Sequence, residues 1–308
     1  MNDAYAESVP ALAGWRGLFR KALALCAVLV LAAGCSGGGG PALEAMAPPP
    51  GPATKYSALV IDASSGQTLY QVNATAVRYP ASLTKMMTLY LLFEAIEQGR
   101  VSKTTEIPVS SFAARQPPSK IGIRTGQSID VESAILALTV KSGNDCAVAV
   151  AEFLGGTEAQ FAAQMTAQAR ALGMTGTVFR NASGLPDPEQ RTTARDMAIL
   201  GMALRSRFPQ HFHYFSERDF AFRGRTVRGH NDLLGRVAGV DGIKTGYIRA
   251  SGYNIVTSVQ RGPRRLIIVV MGADSARARN DHVEELIERY IRPKASSPRL
   301  LSSLSPFD

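Results

Sequence analysis

The sequence predicts an α+β fold in which an antiparallel sheet with flanking helices is accompanied by a helical lobe. Strand patterns occur near residue 56 and return only after residue 239, whereas residues 131–205 are dominated by alanine-rich helical segments. Strands at both ends with helices between them imply a sheet assembled from distant parts of the chain. The two halves of the chain are therefore expected to meet across one site.

Alternation, apolar runs and breaker residues locate the individual elements. A hairpin opens the domain, since two short strand patterns flank a Ser-Gly turn, and the apolar segment that starts at Ser82 and ends at Gly99 is typical of a buried helix. The later predicted elements are helices at 147–153 and 159–172, strands at 239–245, 253–259 and 265–271, and a closing helix at 283–291.

Residues 1–34 predict an export signal peptide, because basic residues precede a short apolar run at 22–33. A spanning helix needs about 20 apolar residues, so this run is too short to cross a bilayer comfortably. Its end resembles a bacterial lipoprotein signal, which implies lipidation of Cys35 and an exported, periplasmic, membrane-anchored protein. Ala32 stands where that signal usually has leucine, so ordinary cleavage and release stays an alternative.

Composition predicts one folded domain between two unstructured segments. Residues 35–54 are rich in Gly and Pro and predict an extended tether, and residues 293–308, rich in Ser and Pro, predict a disordered tail. The folded domain is therefore expected at 55–292. Its single cysteine, Cys146, is expected to be a core residue, because no histidine stands near it in the sequence.

The formal net charge of +9 and the pI near 9.7 favour an anionic partner, such as a lipid surface or a carboxylate-rich polymer. Nucleic acid is not expected, because the arginines are scattered and no basic run is interleaved with aromatic residues. His211 and His213 could hold zinc on a strand, but a third ligand at a sensible spacing is missing. Exposed histidines in an aromatic-rich loop are the favoured interpretation, and no metal or cofactor is predicted.

Three short motifs carry the residues from which catalysis could be built. Ser82 and Lys85 are three apart on a helical face, so a lysine of lowered pKa could take the proton of a serine nucleophile. This pair alone is weak evidence, since its spacing arises by chance. The order Ser-x-x-Lys, then Ser-Gly-Asn at 142–144, then Lys-Thr-Gly at 244–246 is specific.

These motifs resemble those of the penicillin-recognising serine enzymes, and within them the D-alanyl-D-alanine carboxypeptidases, or low-molecular-mass penicillin-binding proteins. The resemblance covers roughly residues 55–292 and implies a serine β-lactamase/DD-peptidase-like fold. It also implies removal of the terminal D-alanine from peptidoglycan stem peptides, and binding of β-lactam antibiotics, without a cofactor. The similar segments are RYPASLTKMMT at 78–88, NASGLP at 181–186, TARDMA at 193–198 and VDGIKTGY at 240–247.

Carried over position by position, the resemblance makes Ser82 the nucleophile, Lys85 its general base and Ser142 a proton relay toward the leaving group. Asn144 is expected to steady Lys85 and to hydrogen-bond the substrate backbone. Residues 181–186 and 193–196 are expected to be structural, as a shaped loop and a helix cap.

The resemblance places the substrate-binding residues on the late strand. Lys244 and Thr245 are expected to hold the terminal carboxylate, Gly246 belongs to the same motif, and the backbone N–H groups of Ser82 and Tyr247 are expected to form the oxyanion hole. Arg279, predicted near the end of the last strand, matches a second carboxylate-binding arginine of the family. Arg277 is its rival, and a solvated surface arginine is the alternative.

Three other functions compete with the carboxypeptidase. A β-lactamase of the familiar type needs a Glu-x-x-Leu-Asn segment, and none occurs between residues 146 and 240. A DD-endopeptidase that cuts D-alanyl cross-links in peptidoglycan shares all three motifs, so it stays open. A non-catalytic cell-wall-binding protein would not need the intact serine and lysine residues.

Overall fold

The structure, a computed structural model, describes residues 55–292. The signal peptide predicted for 1–34, the tether predicted for 35–54 with its Cys35, and the tail predicted for 293–308 lie outside the described residues. In the described part, no helix has the length and apolar character needed to cross a membrane.

A five-stranded sheet with the order β2-β1-β9-β8-β7 forms the centre of the described part, and every neighbouring pair is antiparallel. The first hairpin lies beside the last strand of the chain, so the sheet joins both ends of the domain as the sequence predicts. The predicted α+β class is confirmed. The sheet strands are β1 (Ser57–Asp62), β2 (Thr68–Val72), β7 (Val240–Ile248), β8 (Gly252–Arg261) and β9 (Arg264–Ala273).

Both faces of the sheet are covered, because alternate residues of the strands point to opposite sides. In β9, Val269 packs into the larger hydrophobic cluster with the helical part, and Val270 packs into a second cluster with the closing helix. The central strands therefore contain nearly continuous apolar runs. This packing fixes β7 at an edge of the sheet, where one side of the strand is free to line a site.

Seven α-helices are described. They are α1 (Lys85–Glu97), α2 (Ser111–Ala114), α3 (Val131–Leu136), α4 (Asn144–Gly155), α5 (Glu158–Ala171), α6 (Ala194–Arg207) and α7 (Ala276–Tyr290). The hydroxyl of Thr193 accepts a hydrogen bond from Asp196 N at 3.0 Å, which confirms the predicted cap of α6.

The structure differs from the sequence prediction at short elements and at one helix end. Two short antiparallel strand pairs were not predicted, because strands of three or four residues show little alternation. They are β3 (Glu106–Pro108) with β4 (Ser128–Asp130), and the hairpin of β5 (Asp219–Phe222) with β6 (Arg225–Arg228). The closing helix begins at Ala276 rather than 283, since the hydroxyl of Ser275 accepts a hydrogen bond from Ala278 N and caps it.

Candidate active site

Ser82 and Lys85 are in direct contact at the start of the buried helix. A 3-10 turn, Ala81–Thr84, presents Ser82 immediately before α1 begins at Lys85. The Nζ atom of Lys85 donates a hydrogen bond to Ser82 Oγ at 3.2 Å, and the lysine side chain is fully buried. A hydroxyl and an amine at this distance can exchange a proton.

The surroundings of Lys85 favour its neutral form. Burial lowers the pKa of Lys85 well below its ordinary value and the ammonium group of Lys244 lowers it further, whereas the carboxylate of Asp145 opposes both effects. Lys85 Nζ also donates to Asn144 Oδ1 at 2.8 Å and to the carbonyl oxygen of Ser183. These acceptors orient the amine beside Ser82.

Ser142 lies at the end of a π-helical turn, Ala137–Lys141, in the left-handed conformation with φ 60° and ψ 40°. This backbone turns its side chain into the cleft that Ser82 lines. Within residues 55–292 its buried Oγ has no hydrogen-bond partner. Because an unpaired buried hydroxyl is costly, Ser142 is available to bond an incoming ligand.

Hydrogen bonds from the first turn of α4 hold the neighbouring wall of the cleft in place. Asn144 Nδ2 donates to Pro117 O at 2.9 Å, and the fully buried Asp145 accepts backbone hydrogen bonds from Gly122 at 2.8 Å and Ile121 at 3.3 Å. Sequence reasoning missed Asp145. A charged residue directly before a run of buried apolar residues could have indicated its anchoring role.

Strand β7 brings the Lys-Thr-Gly motif to the serine. Lys244 and Thr245 are buried, and Gly246 lies so close to the 3-10 turn that a Cβ atom there would stand 3.1 Å from Ser82 N. A glycine therefore allows the strand to reach the nucleophile. Tyr247 is about half exposed and its ring packs against that of Tyr253, with 4.4 Å between centroids.

The position of Arg279 differs from the predicted one, and its burial decides between Arg279 and Arg277 as the arginine of the site. Arg279 lies in the first turn of α7 and not near the end of the last strand, because β9 already ends at Ala273. Arg279 is 3% exposed and lines the cleft, whereas the side chain of Arg277 is 90% exposed. Arg279 is therefore the arginine that faces the site, and the interpretation as a solvated surface residue is wrong.

Burial lowers the pKa values of both cations of the site, Lys244 and Arg279. Burial lowers the pKa of Lys244 to about 7, and the guanidinium group of Arg279 contributes to this shift. Burial likewise lowers the pKa of Arg279 to about 10. The side chain of Arg279 donates a hydrogen bond to Asn280 Oδ1 at 2.7 Å. Its nearest hydrogen-bond partner is therefore an uncharged amide and not a carboxylate. The arrangement suits an anionic ligand.

A cleft of about 510 Å³ collects these groups. The predicted site residues that line it are Ser82, Ser142, Asn144, Thr245, Gly246, Tyr247 and Arg279. Lys85 lies beneath Ser82, and Lys244 lines the adjoining cavity. The three motifs thus converge, and Cys35 lies outside the described residues.

Sequence reasoning also missed His230 and Asp232, which line the same cleft from the segment before β7. No motif or periodicity marks this segment. Ser183 belongs to a loop that the sequence predicts to be structural, although its carbonyl oxygen accepts a hydrogen bond from Lys85 and the residue lines the cleft.

The two histidines considered as zinc ligands have other contacts. His211 is buried, stacks on Phe93 with 4.9 Å between centroids and contacts a carboxylate oxygen of Glu97 at 2.8 Å. The prediction that both histidines are exposed is therefore wrong for His211 and confirmed for His213. Among residues 55–292, no group of three His, Cys, Asp or Glu residues could hold a metal ion.

Comparison with known proteins identifies relatives along most of the chain. The sequence profile of the D-alanyl-D-alanine carboxypeptidase family matches residues 44–275. D-alanyl-D-alanine carboxypeptidase DacD of Salmonella typhimurium is 36% identical over 260 residues, which cover 80% of this chain and 66% of that protein. The chain thus spans slightly less than two thirds of that relative's length.

Solved structures share the fold. Penicillin binding protein 5 from Haemophilus influenzae is similar with a TM-score of 0.75 and 34% identity over 80% of this chain and 72% of that one. Penicillin-Binding Protein D2 from Listeria monocytogenes, in the ampicillin-bound form, is similar with a TM-score of 0.67 and 31% identity over 76% of this chain and 96% of that one.

Proposed function

The chain belongs to the D-alanyl-D-alanine carboxypeptidase family, and on that premise we propose that it is a serine-type D-Ala-D-Ala carboxypeptidase. It removes the terminal D-alanine from peptidoglycan stem peptides. The observation that carries this proposal is the 3.2 Å contact between Ser82 Oγ and the Nζ atom of Lys85, a buried lysine whose pKa is lowered.

Acylation follows from this contact. Neutral Lys85 takes the proton of Ser82, and Ser82 Oγ attacks the carbonyl carbon of the penultimate D-alanine. The N–H groups of Ser82 and Tyr247 stabilise the developing oxyanion; each such donor is worth about a hundredfold to a thousandfold in rate. Ser142 passes a proton to the departing nitrogen, and D-alanine leaves. Water then cleaves the ester and releases the shortened peptide.

Recognition of the substrate rests on its terminal carboxylate. Lys244, Thr245 and Arg279 supply two cations and a hydroxyl for this group. Desolvation of both cations in the free protein makes their pairing with a carboxylate favourable. A β-lactam antibiotic presents a carboxylate and a reactive carbonyl in the same way, and the ampicillin-bound relative from Listeria supports acylation of Ser82 by such compounds.

Labelling and product release test the proposal together. Ser82→Ala is expected to abolish covalent labelling by a fluorescent penicillin and to lower D-alanine release from a pentapeptide by about a thousandfold or more. Ser65→Ala, in the exposed turn between β1 and β2, is the matched control and should keep both activities. Labelling that persists in Ser82→Ala would contradict the nucleophile assignment, and labelling without any turnover would favour the non-catalytic binding protein.

The N-terminal sequence supports a location for this activity. The basic and apolar run followed by Cys35 supports export to the periplasm and anchoring to a membrane by lipid on that cysteine. Such an anchor places the cleft close to the peptidoglycan that surrounds the membrane.

A further inference from the structure

The fully buried amide of Asn254, in β8, lies beside the turn that carries the nucleophile. Its Nδ2 group donates hydrogen bonds to the carbonyl oxygen of Tyr79 at 3.1 Å and to that of Pro80 at 3.3 Å. These are the two residues directly before the 3-10 turn at Ala81–Thr84. The side chain of Asn254 therefore holds the chain immediately ahead of Ser82.

The pairing of β8 with β7 explains how this side chain reaches the turn. Asn254 lies directly opposite Gly246 in the antiparallel register, and opposite residues of such a pair point to the same face of the sheet. Gly246 has no side chain, and the turn lies so close that a Cβ atom there would stand 3.3 Å from Pro80 O. The amide of Asn254 thus extends along this close contact to the two carbonyls.

The turn that Asn254 holds has a costly backbone conformation. Ala81 has a φ of 51°, in the left-handed region that a residue with a Cβ atom rarely adopts. Such a conformation persists only where the surrounding structure imposes it. The hydrogen bonds from Asn254 restrain the two residues just ahead of Ala81. They therefore oppose a relaxation that would shift both Oγ and the N–H group of Ser82.

The remaining polar atoms of Asn254 connect the turn to other parts of the site. Its Oδ1 atom accepts a hydrogen bond from Gly272 N at 3.0 Å, where the register of β8 and β9 shifts between Tyr253 and Ile255. Only this orientation of the amide gives each of its atoms a partner. The main-chain oxygen of Asn254 lies 3.5 Å from a guanidinium nitrogen of Arg279. One residue therefore contacts both the nucleophile's turn and the arginine of the cleft.

We propose that Asn254 is a positioning residue for the acylation of Ser82, an inference that rests on the proposed function. Its amide keeps the N–H group of Ser82 in the oxyanion hole and Ser82 Oγ in line with the carbonyl carbon of the substrate. The bond from Gly272 N is sufficient for the irregularity of the sheet, so the two donations to the turn serve the nucleophile. A misplacement of about 1 Å in a reacting group can cost about a hundredfold in rate.

Two variants test the donations to the turn. Asn254→Asp keeps the shape of the side chain and an acceptor for Gly272 N, but it places a carboxylate oxygen against the carbonyls of the turn. Asn254→Ala removes the donors and the acceptor together. The contact with Arg279 is made by the main chain, so both variants retain it. The full chain is assayed with a penicillin, and the dissociation constant of the initial complex and the acylation rate constant are measured separately.

Both variants are expected to lower the acylation rate constant at Ser82 by about tenfold to a hundredfold. The dissociation constant of the initial complex should change by less than about twofold, because the groups that hold the carboxylate stay in place. Affinity for a boronic acid that bonds to Ser82 Oγ should fall in parallel with the rate constant, since its tetrahedral adduct resembles the transition state. A residue that only stabilised the fold would not produce this separation of rate from binding.

The same strand offers two matched controls. Val259 is fully buried in the cluster with the closing helix, so Val259→Ala lowers stability without touching the turn. Thr257 is fully buried, and within residues 55–292 its hydroxyl has no hydrogen-bond partner, so Thr257→Val conserves its shape without removing a bond. Both controls should be acylated at the wild-type rate at a temperature at which all the proteins are folded.

The outcomes separate this inference from the proposed function. A wild type that is acylated by penicillin but releases no D-alanine from a pentapeptide overturns the carboxypeptidase, and the acylation rates of the variants still decide the role of Asn254. A wild type that does neither overturns both. Acylation rate constants within about twofold of wild type in both variants overturn the positioning role, as do equal losses in binding and in rate.

Loss of folding is also decisive. If Asn254→Asp and Asn254→Ala both fail to unfold cooperatively on heating, Asn254→Ser is measured in the same way, with the same expected loss of rate. Failure of all three variants to fold overturns the proposal, because Asn254 then supports the fold as a whole.

Discussion

At the scale of single residues, two buried lysines set the chemistry. Lys85 and Lys244 are almost entirely buried, and each lies near another cation. For Lys244, lowering the pKa from 10.5 to about 7 corresponds to an unfavourable contribution on the order of 5 kcal/mol when the group is charged. The unfolded chain holds this proton more tightly, so between pH 7 and 10.5 the contribution of Lys244 to stability rises with pH.

The same shift predicts the pH dependence of catalysis. Lys85 must be neutral to act as a base, and Lys244 must be charged to bind a carboxylate. We expect kcat/KM for D-alanine release to rise as Lys85 loses its proton and to fall as pH passes about 7, where Lys244 loses its own. Lys244→Arg keeps the positive charge to higher pH. The high-pH limb of its kcat/KM profile should therefore move up by more than about one pH unit, even if the rate is lower.

A peptide amide provides the control for this interpretation. Without a terminal carboxylate the substrate has no partner for Lys244, and the fall of kcat/KM near pH 7 should disappear. A high-pH limb that is unchanged in Lys244→Arg, or that persists with the amide, would show that another group controls it.

At the scale of elements, the loop at 181–184 positions the catalytic lysine. Glu158 Oε1, in the first turn of α5, accepts from Ala182 N at 3.0 Å, and Thr88 Oγ1 donates to Ala182 O at 2.7 Å. These bonds fix the carbonyl of Ser183 that Lys85 contacts. Gly184 completes the fit, since its φ is +84° and a Cβ atom there would collide with Ala81 O.

Glu158 also acts on Lys85 through its charge, which raises the pKa of the lysine. Glu158→Gln keeps an acceptor for Ala182 N but removes the charge, so the pKa of Lys85 should fall further. We expect the low-pH limb of the rate of penicillin acylation at Ser82 to move to lower pH by about half a unit. This shift is smaller than the pKa change of about 1–3 units that a charge in direct contact produces. Acylation rates measured against pH check this.

Two further variants bracket that result. Glu106→Gln, on the exposed short strand β3, removes a similar charge and should leave the limb in place. Glu158→Leu also removes the acceptor, so acylation should slow at every pH. A limb that does not move in Glu158→Gln, or that moves equally in Glu106→Gln, would contradict an effect of Glu158 on Lys85.

The sequence predicted those helices and strands whose apolar pattern or cap lies within their own residues. The central strands and α1 are apolar on most sides, and the cap of α6 lies in the four residues that begin with Thr193. Arg279 was misplaced because α7 begins with an arginine-rich turn without apolar periodicity, and only Ser275 marks its start. Asp232 and the cavity beside it depend on how distant segments pack, which no local pattern records.

At the scale of the whole molecule, the site exists because the sheet joins the two ends of the domain. Ser82 follows the first hairpin, Ser142 belongs to the helical part, and Lys244 lies on an edge strand formed near the end of the chain. Motif order predicted which segments meet. The distances within the site required the packed structure, because the cores on both faces of the sheet set how closely β7 approaches Ser82.

The proposed lipid anchor at Cys35 would attach the whole molecule to a membrane. If Cys35 is acylated by more than one chain, attachment is stable, whereas a single chain gives only marginal binding. We expect the full-length protein, produced in a bacterium, to take up a labelled fatty acid and to fractionate with membranes, and Cys35→Ser to be unlabelled and released. Cys26→Ser lies within the apolar run that is removed on export, so it should behave like the wild type.

Penicillin labelling of Ser82 should be equal in all three proteins, because the anchor is outside the cleft. Release of the wild type to the same extent as Cys35→Ser, without fatty-acid labelling of either, would instead favour ordinary signal cleavage.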